Sequence, residues 1–261
     1  MPIDRFEDSR PDLFPRRGFL AGRTALVTGG ARRIGRELAL SLAAAGAAVV
    51  VHYRESENEA RETVAEIVDS GGEGFRVRGD LARAECAAGL AQEAAETAGR
   101  SLDILINNAS VFAPGDALTT TVEQWDHNQA VNLRAPFLLA QSLARQLPQD
   151  VSGNIINLND FRAVRPGADH FPYTISKVGL HGLTSSLALA LAPRVRVNEL
   201  ALGAILPPEG ASADYLHTLR SEIPTGKFDS PYEVSQAMLF LLGNRALTGQ
   251  TLFIDGGRHL K

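Results

Sequence analysis

Cysteine is almost absent from this sequence of 261 residues, which contains only Cys86. A single thiol cannot form an internal disulfide, so a secreted fold held together by disulfides is excluded. Cys86 lies in an alanine-rich stretch that is typical of a helix, and we expect it to pack as a small, buried apolar residue. The cysteine and the histidines do not follow the spacing of a metal site, and we therefore expect no bound metal.

Long apolar runs and a large excess of charge are missing as well. No apolar segment approaches the roughly 20 residues that a membrane-spanning helix needs. The formal net charge is only −4, so the sequence lacks the strongly basic character that nucleic acids or anionic membranes attract. A hydrophobic share of 44% is enough to form a full core. These features predict one domain, with no nucleic-acid and no membrane partner.

The first 20 residues differ from the rest because they combine mixed charges with three prolines. We expect a flexible N-terminal tail over 1–20 and a single domain over 21–261. Arg16 and Arg17, followed by Gly-Phe-Leu, resemble a twin-arginine export signal. However, Arg23 interrupts the apolar segment that should follow, and cleavage there would destroy the first strand of the domain. We therefore expect a cytoplasmic protein.

Short runs rich in Val, Ile and Leu alternate with longer helical patterns along the chain. Most of these runs lack polar alternation, which suits a parallel sheet buried on both faces, and their alternation with helices implies right-handed βαβ units. We expect an α/β fold: a single Rossmann-type, doubly wound domain with a mainly parallel seven-stranded sheet and helices on both faces. Two capping boxes, Thr121 to Gln124 and Ser230 to Glu233, each mark a helix start. The predicted strands are 24–28, 47–53, 74–79, 103–107, 153–158, 195–200 and 251–254, and the predicted helices are 34–45, 57–69, 83–98, 122–146 and 173–192.

A glycine-rich turn follows the first predicted strand and precedes a helix, with the sequence Thr28-Gly29-Gly30-Ala31-Arg32-Arg33-Ile34-Gly35. Glycine permits a tight turn and lets backbone N–H groups approach a pyrophosphate. The start of the following helix adds a partial positive charge. Glycine-rich turns also serve as structural corners, but the position between a strand and a helix favours dinucleotide binding.

The end of the second predicted strand bears on the choice of nucleotide. An NAD enzyme usually carries an acidic residue there, which binds the ribose 2′-hydroxyl. Tyr53 occupies that place, whereas Arg32, Arg54 and Ser56 offer positive charge and a hydroxyl to a 2′-phosphate. The alternative is that Arg54 is solvated and pairs with a neighbouring glutamate. The missing acid and the nearby cations favour NADPH over NADH as the cofactor.

Three polar features follow in an order that indicates a catalytic site. The fourth predicted strand ends in Asn107-Asn108-Ala109-Ser110, and Asn132 stands inside a predicted helix, where asparagine is intrinsically unfavourable. Tyr173 and Lys177 are four residues apart and therefore share one face of a helix. We expect the ammonium to lower the pKa of the phenol, which would make it a usable proton donor or acceptor near neutral pH. An isolated pair of this kind is usually plain helix surface, but its position after the other motifs favours catalysis.

Together these motifs resemble the short-chain dehydrogenase/reductase family, and the resemblance covers essentially residues 22–261. It is carried by Thr-Gly-x-x-x-x-Ile-Gly at 28–35, Asn-Asn-Ala at 107–109 and Tyr-x-x-x-Lys at 173–177. The resemblance implies that Asp80 contacts the adenine, that Asn132 organises a proton-relay water, and that the enzyme is a homotetramer. The predicted cofactor-binding residues are Gly29, Arg32, Arg33, Ile34, Gly35, His52, Tyr53, Arg54, Ser56, Asp80, Leu81, Asn108, Ala109, Ser110, Tyr173, Lys177 and Gly203.

Two positions depart from the family pattern. Arg33 replaces the usual middle glycine of the turn, and Asp160 stands thirteen residues before Tyr173, where most members have a serine. With His52-Tyr53, Phe112 and the C-terminal run 255–260, these departures resemble the pteridine reductases and the bacterial dihydromonapterin/dihydrofolate reductases of this fold. The predicted catalytic residues are Asp160, Tyr173, Lys177 and Asn132, and the predicted substrate contacts are Arg33, Ser110, Phe112, Asp160 and Tyr173.

The aspartate suits a nitrogen heterocycle better than a ketone. A serine stabilises a carbonyl oxygen as it becomes an alkoxide, whereas a carboxylate in that place would repel the developing charge. A ring nitrogen must instead gain a proton, so the resemblance implies reduction of a 7,8-dihydropterin such as dihydromonapterin, dihydrobiopterin or dihydrofolate. Simpler interpretations stay open: Asp160 paired with Arg162 or Arg165, Phe112 in the core, and Arg33 as an exposed side chain that merely tolerates its position.

The segment of about 203–228 follows the sixth predicted strand, where the family carries its substrate loop, and we expect a lid there. Leu202-Gly203 replaces the family's Pro-Gly, and nothing in the segment identifies a substrate. Two other functions remain: an NADPH-dependent carbonyl reductase acting on 3-oxoacyl or other ketones, and a non-catalytic NADP-sensing protein. Asp160 argues against the first, and the intact set of Asn132, Tyr173 and Lys177 argues against the second.

Overall fold

The computed structural model describes residues 18–208, 210, 212 and 214–261. Seven strands and eight α-helices occur in these residues, together with one π-helical turn and short 3-10 turns. The strands are β1 (Thr24–Val27), β2 (Ala48–Tyr53), β3 (Gly74–Arg78), β4 (Ile104–Asn107), β5 (Gly153–Asp160), β6 (Val195–Leu202) and β7 (Thr251–Ile254). The α-helices are α1 (Arg33–Ala44), α2 (Glu57–Asp69), α3 (Ala84–Ala98), α4 (Val122–Gln129), α5 (Ala135–Gln146), α6 (Phe171–Leu191), α7 (Tyr215–Leu219) and α8 (Pro231–Gly243).

The strands form one sheet in the order β3-β2-β1-β4-β5-β6-β7. Every strand pair in it is parallel, so the expected Rossmann-type fold is confirmed and the sheet of the described residues is wholly parallel. The order reverses between β1 and β4. In open sheets of this kind ligands bind beyond the carboxyl ends of the strands at that reversal.

The central strands are longer than the sequence pattern predicts. β5 was expected over 153–158 and extends to Asp160, while β6 was expected over 195–200 and extends to Leu202. The polar residues near the end of β5 conceal this extension, because the apolar run stops before the pairing does. Asp160 pairs with Leu202 in the ladder, so the carboxyl group leaves the sheet from the last position of a central strand.

Two apolar layers hold the helices against the sheet. On one face β1 and β2 pack against α1, α2 and α8, with Leu38, Ile67 and Met238 almost fully buried. On the other face the sheet packs against α3, α5 and α6, with Leu90, Leu139 and Leu143 fully buried. Each such side chain contributes about 1.5–3 kcal/mol when it is removed from water. The sheet edge that carries the polar motifs therefore rests on a rigid support.

The long helix predicted over 122–146 is interrupted by a π-helical turn at Ala130–Arg134, with Asn132 buried at its centre. Such turns occur mostly where a helix serves a functional site. The start of α4 agrees with the prediction, because Thr121 and Gln124 form a complete capping box. Ser230 and Glu233 form the second predicted box, at the start of α8.

The predicted tail over 1–20 lies mostly outside the described residues, and so do Arg16 and Arg17 of the twin-arginine motif. Leu20, however, is buried at 5% exposure, and its backbone N–H donates to the carbonyl of Ala45 at 3.0 Å. The packed part of the domain therefore begins before residue 21. Within the described chain, no helix combines the length and the apolar character needed to cross a membrane.

Candidate active site

The carboxyl ends of β1, β4, β5 and β6 meet at one edge of the sheet, on both sides of the reversal in strand order. The sequence-predicted residues follow these ends directly: the glycine-rich turn after β1, Asn108 after β4, Asp160 at the end of β5 and Gly203 after β6. The fold therefore assembles, at one edge, residues from distant parts of the sequence.

The turn after β1 needs its glycines for space and for backbone conformation. Gly29 has φ +60°, and a Cβ added to Gly35 would lie 2.1 Å from the carbonyl oxygen of Gly29 and 2.6 Å from Nδ2 of Asn108. Arg33 also has a positive φ, +55°. It therefore takes the conformation as well as the place of the family's glycine, at a cost of about 1–2 kcal/mol.

The start of α1 is prepared for an anion. Its N-cap residue, Arg32, makes no side-chain cap, and its first turn contains no acidic residue. The first backbone N–H groups of a helix and their partial positive charge are then left to an external anion, as in other pyrophosphate sites. Ile34 is half-buried and packs against the core, so its side chain anchors this turn.

His52 supports the turn from below. It is 3% exposed; its Nδ1 accepts the N–H of Gly29 at 3.1 Å, and its Nε2 lies 3.2 Å from the carbonyl oxygen of Gly79. This pattern places the single ring proton on Nε2. Burial lowers the pKa of His52 to about 4, so the ring is neutral near neutral pH and Nδ1 keeps its lone pair for Gly29. His52 thus fixes the loop backbone rather than lying on the open side of the turn.

Asn108 fixes the same turn from the neighbouring strand. Its Nδ2 donates to the carbonyl oxygens of Thr28 at 2.8 Å and Gly29 at 3.1 Å. The hydroxyl of Thr28 in turn accepts the backbone N–H groups of Asn108 and Ala109. Hydrogen bonds of this motif therefore connect the ends of β1 and β4, where the strand order reverses.

A cavity of about 450 Å³ lies beyond the ends of β2 and β3. Arg54 lies beside it and pairs with Glu55 at 3.2 Å, as the simpler interpretation expected, but both side chains are about half exposed or more. Such a pair contributes at most about 1 kcal/mol and can yield to a phosphate. The cavity is lined by Arg54, Glu55, Arg78, Gly79, Asp80, Arg83 and Cys86.

Other residues predicted for this region are less open to a ligand. Tyr53 and Leu81 are buried, at 7% and 5% exposure. Ser56 differs from these two residues, because it is half-buried and its hydroxyl does not cap α2, although the residue occupies the N-cap position. Cys86 is only half-buried, contrary to the expected buried residue, because it borders the cavity; partial burial raises its pKa.

Asn132 holds together three parts of the site. Its Oδ1 accepts from the hydroxyl of Ser110 at 3.1 Å and from the N–H of Val111 at 2.9 Å. Its Nδ2 donates to the carbonyl oxygen of Val111 and to the hydroxyl of Ser176, both at 3.0 Å. The side chain therefore joins the segment after β4 to α6, and the organisation of a relay water by Asn132 stays a prediction.

The predicted catalytic residues converge where β5 meets α6. The hydroxyl of Tyr173 donates to Oδ2 of Asp160 at 2.7 Å, and Oδ1 of Asp160 accepts the backbone N–H of Arg162 at 2.9 Å. Lys177 is 4% exposed; its Nζ donates to the carbonyl oxygen of Leu158 at 2.8 Å and lies 5.6 Å from the centre of the Tyr173 ring. The phenol and the ammonium are buried, and the half-buried carboxyl group lies beside the phenol.

The pKa directions in this group correct one expectation. The pKa of Tyr173 is raised well above its usual value by burial and by the charge and hydrogen bond of Asp160, rather than lowered by Lys177. Burial also raises the pKa of Asp160, against the hydrogen bonds it accepts, and lowers the pKa of Lys177 to about 8. The ammonium is too far from the phenol oxygen to outweigh a carboxylate in direct contact. Tyr173 is therefore a proton donor in the free site.

Asp160 has no ion pair with either arginine that the simpler interpretation offered. Arg162 instead forms a two-pronged pair with Asp169, at 2.7 Å and 2.9 Å, which lowers the pKa of Asp169. Arg165 donates at 3.4 Å to the carbonyl oxygen of Arg258. The carboxyl group of Asp160 is therefore committed to Tyr173 and to one backbone N–H.

An aromatic wall borders this group. Phe112 is 44% exposed and thus is not a core residue; its ring stacks on His170 with a centroid distance of 3.9 Å and an interplanar angle of 9°. It also meets Tyr173 edge-on at 4.7 Å. Nδ1 of His170 lies 3.0 Å from Asp169, which ties the outer ring to the Arg162 pair. A flat, partly exposed aromatic surface therefore stands beside the proton donor.

A hydrogen bond connects the predicted substrate loop to the glycine-rich turn after β1. Nη2 of Arg33 donates to the carbonyl oxygen of Pro207 at 2.6 Å. At the start of the loop, a Cβ added to Gly203 would lie 2.8 Å from Cα of Asp255, so this glycine is needed for close packing. Farther along the loop, α7 is followed by a 3-10 turn, Arg220–Glu222.

Sequence reasoning missed several residues that the structure places at the site. Arg78 and Arg83 line the cavity because β3 and its exit lie beside β2 in the sheet, and no local motif indicates them. His170 was missed because its stacking partner is far away in the sequence. A usable signal existed only for Glu199, a charged residue within an otherwise apolar strand. Among the described residues, no group of His, Cys, Asp and Glu could hold a metal ion.

Known proteins are similar to this chain over almost its whole length. A family profile described as "Enoyl-(Acyl carrier protein) reductase" matches residues 29–259. The chain is 35% identical to 3beta-hydroxysteroid dehydrogenase 1 of Eggerthella lenta, over 92% of this chain and 95% of the relative. It is 34% identical to a 3-oxoacyl-[acyl-carrier-protein] reductase of Synechocystis sp., over 91% and 97%.

Solved structures include a similar protein with a different substrate name. The FolM alternative dihydrofolate reductase 1 of Brucella canis, complexed with NADP, superimposes with a TM-score of 0.87 and 36% identity, over 93% of this chain and 96% of that protein. The solved structure thus shares the fold, and all three proteins align with almost the whole chain, while their names refer to a hydroxysteroid, a 3-oxoacyl group and dihydrofolate. The phosphate turn, the Asn-rich strand end and the Tyr173–Lys177 pair all lie within the matched span, and the chain belongs to the short-chain dehydrogenase/reductase family of oxidoreductases.

Proposed function

We propose that this protein is an NADPH-dependent reductase that converts a 7,8-dihydropterin to its tetrahydro form. Dihydromonapterin, dihydrobiopterin and dihydrofolate are the candidate substrates. The observation that carries the proposal is the 2.7 Å hydrogen bond from Tyr173 to Asp160, at the position where most members of the family have a serine. The similarity to the Brucella dihydrofolate reductase supports the same choice.

The residues after β1 and β2 fit NADPH. A glycine-lined turn, an uncapped helix start and a neutral His52 suit the pyrophosphate, since each supplies or holds backbone N–H groups. Arg54, Arg78 and Arg83 surround the adjacent cavity, where a 2′-phosphate would need positive charge. When bound in such a site, NADPH supplies a hydride to a carbon of the substrate.

Asp160 and Tyr173 supply the proton that must accompany the hydride. Reduction of a ring C=N bond adds a hydride to carbon and a proton to nitrogen. Asp160, whose pKa is raised by burial, can give its proton to the ring nitrogen, and the hydroxyl of Tyr173 at 2.7 Å then donates a hydrogen bond to the carboxylate that is left. Lys177, with a pKa of about 8, stays largely protonated near neutral pH and stabilises the carboxylate that remains.

The aromatic wall favours a flat heterocycle over a flexible ketone. Phe112 presents an exposed ring that is backed by His170 in a parallel stack. Planar rings pack best against such a surface at offset-stacked distances, and an aliphatic chain gains less from it. A pterin ring on Phe112 would lie near Tyr173, the hydrogen-bond partner of Asp160.

A carbonyl reductase acting on 3-oxoacyl groups or other ketones is the second candidate, because one relative is named for a 3-oxoacyl substrate and another for a hydroxysteroid, the alcohol that corresponds to a ketone. A non-catalytic NADP sensor is the third. A panel of substrates separates all three: NADPH consumption by the purified protein is followed with dihydropterins, with dihydrofolate, with an acetoacetyl thioester and with simple ketones. Turnover of pterins alone supports the proposal, turnover of ketones alone replaces it with the second candidate, and NADPH binding without turnover of either favours the sensor.

We further propose that the enzyme is a homotetramer, as the family resemblance implies, and that it is cytoplasmic. Sedimentation equilibrium of the purified chain tests the assembly, since a tetramer has four times the mass of 27.9 kDa. Cell fractionation tests the location. A monomeric species that retains full activity would remove the tetramer from the account.

A further inference from the structure

A buried carboxyl group outside the proposed chemistry lies behind the catalytic group. Glu199 occupies the middle of β6, and its side chain has no exposure to solvent. Burial of an ionisable side chain is costly unless other groups satisfy it. Its carboxyl group therefore needs partners, and the identity of those partners shows what it can do.

Four side chains from three neighbouring elements contact this carboxyl group. Oε2 lies 2.9 Å from Nδ2 of Asn159 on β5 and 3.1 Å from the hydroxyl of Thr184 on α6. Oε1 lies 2.7 Å from the hydroxyl of Thr251 on β7 and 2.5 Å from Nδ1 of His181 on α6. His181 is partly exposed, at 37%, so it joins the buried carboxyl group to the outer surface of the helix.

Asn159 connects Glu199 to the catalytic residues. Its Nδ2 also donates to the carbonyl oxygen of Lys177 at 3.2 Å, and its Oδ1 accepts the backbone N–H of Asp160 at 2.9 Å. One amide group therefore touches the main chain of both Asp160 and Lys177, which belong to different elements. Its NH₂ group faces two acceptors, Glu199 and the carbonyl oxygen of Lys177, so Glu199 helps to keep this group inward and the amide oxygen toward Asp160.

We propose that Glu199 is a positioning residue that acts through Asn159 to hold Asp160 and Lys177 in register, with His181 as its hydrogen-bond partner at the surface. The charge of Glu199 also acts on Lys177, since it opposes the lowering of the lysine pKa by burial. Asp160 on β5 is the other carboxyl group that acts on Lys177 in the same direction. The proposal concerns how the site is held and applies to whichever substrate the enzyme reduces.

The test compares Glu199→Gln with a matched control, Thr251→Val. The amide of the first variant has one acceptor oxygen in place of two and carries no charge, so it should hold Asn159 less firmly. The control removes a different hydrogen bond to the same carboxyl group and leaves Asn159 in place. We expect Glu199→Gln to lower kcat about tenfold or more while the Kd for NADPH changes less than about twofold. Thr251→Val should lower Tm by about as much as Glu199→Gln does, but it should keep kcat within about twofold of the parent enzyme.

Coupling to Asn159 separates positioning from a general loss of stability. Asn159→Ala should reproduce the loss in kcat, and the double variant with Glu199→Gln should lose little more, because both changes break one path. The alkaline limb of the pH–rate profile should move to lower pH in Glu199→Gln, since a negative charge near Lys177 is removed. Crystal structures of the variants should show a longer distance from Tyr173 to Asp160, a readout that needs no substrate.

Three results would overturn the proposal. The first is a kcat within about twofold of the parent in a folded Glu199→Gln. The second is losses that simply add in the double variant, which would mean that Glu199 does not act through Asn159. The third applies if Glu199→Gln does not fold, in which case Asn159→Ala is the deciding variant. An Asn159→Ala protein with unchanged kcat and an unchanged distance from Tyr173 to Asp160 would then overturn the proposal.

Discussion

Nη2 of Arg33, in the phosphate turn, donates a hydrogen bond of 2.6 Å to the carbonyl oxygen of Pro207, in the predicted substrate loop. The residue that breaks the family's glycine pattern thus links the two segments that enclose the site. It does so from a left-handed backbone conformation, φ +55°, that glycine adopts without strain. The hydrogen bond to Pro207 offsets the backbone strain at Arg33. Replacing Arg33 with glycine removes both, so the change should affect ligand binding more than folding.

Arg33→Gly should therefore raise the KM of the substrate several-fold while the free energy of unfolding stays equal or rises by up to about 1 kcal/mol. Chemical denaturation and steady-state kinetics measure the two effects. Arg36→Ala is the matched control, because Arg36 is also an α1 arginine but pairs with Glu66. A substrate KM that is unchanged in Arg33→Gly would show that the link to Pro207 has no part in holding the loop.

His52 predicts a specific dependence of stability on pH. Its pKa falls from 6.5 to about 4 in the folded state, so between these values the unfolded chain binds more protons. Stability must then decrease as the pH falls through that window, by about 3 kcal/mol at most for this group. Urea unfolding at pH 7 and pH 5 measures it, and His52→Gln should make the difference smaller. An equal difference in both proteins would contradict the buried, neutral ring.

The arginines around the cavity predict the selectivity for NADPH. Arg54→Ala and Arg78→Ala should each raise the Kd for NADPH about tenfold or more and leave the Kd for NADH nearly unchanged, because only NADPH carries the 2′-phosphate. Fluorescence titration with both nucleotides measures this. Arg76→Ala is the control, since Arg76 lies on β3 near Glu57 and does not line the cavity. Equal losses for both nucleotides would place the 2′-phosphate elsewhere.

The stacked pair of Phe112 and His170 predicts a contribution to substrate binding. Phe112→Leu should raise the KM of a dihydropterin about tenfold, since it removes roughly 1 kcal/mol of stacking in addition to area. His170→Asn should raise it less, because asparagine tolerates the φ of +50° at this position but cannot back the Phe112 ring. Kinetics with dihydropterin measure both. The NADPH Kd serves as the control and should stay constant in each variant.

The strands of the fold could be predicted from the sequence, because the strands of a buried parallel sheet are uninterrupted apolar runs, as in β1 and β2. It hides the ends of β5 and β6, where polar residues continue the ladder to Asp160 and Leu202. The nearness of Asp160 to Tyr173 follows from spacing, but the direction of the phenol pKa does not. That direction depends on which charged group lies nearer to the phenol oxygen. The structure shows the carboxylate of Asp160 at 2.7 Å, in direct contact, whereas the ammonium of Lys177 is not hydrogen-bonded to it.

Contacts between distant segments escape sequence reasoning for a related reason. The stack of His170 on Phe112, the tie from Arg33 to Pro207 and the set of partners around Glu199 each join residues without a shared motif. Glu199 is the exception in part, because a glutamate within a buried strand already indicates a polar network. What it holds becomes visible only through Asn159.

The most direct test of the account is kcat/KM for a dihydropterin and for an acetoacetyl thioester in the parent enzyme and in Asp160→Ser, with Tyr173→Phe as the inactive reference. The account predicts that the parent enzyme prefers the dihydropterin, and that Asp160→Ser loses about 100-fold or more on it while it still binds NADPH. Serine restores the family's usual partner for a developing alkoxide, so the thioester should lose little or gain. A parent enzyme that reduces only the thioester, or an Asp160→Ser variant with unchanged pterin turnover, would contradict the assignment of Asp160 to proton delivery.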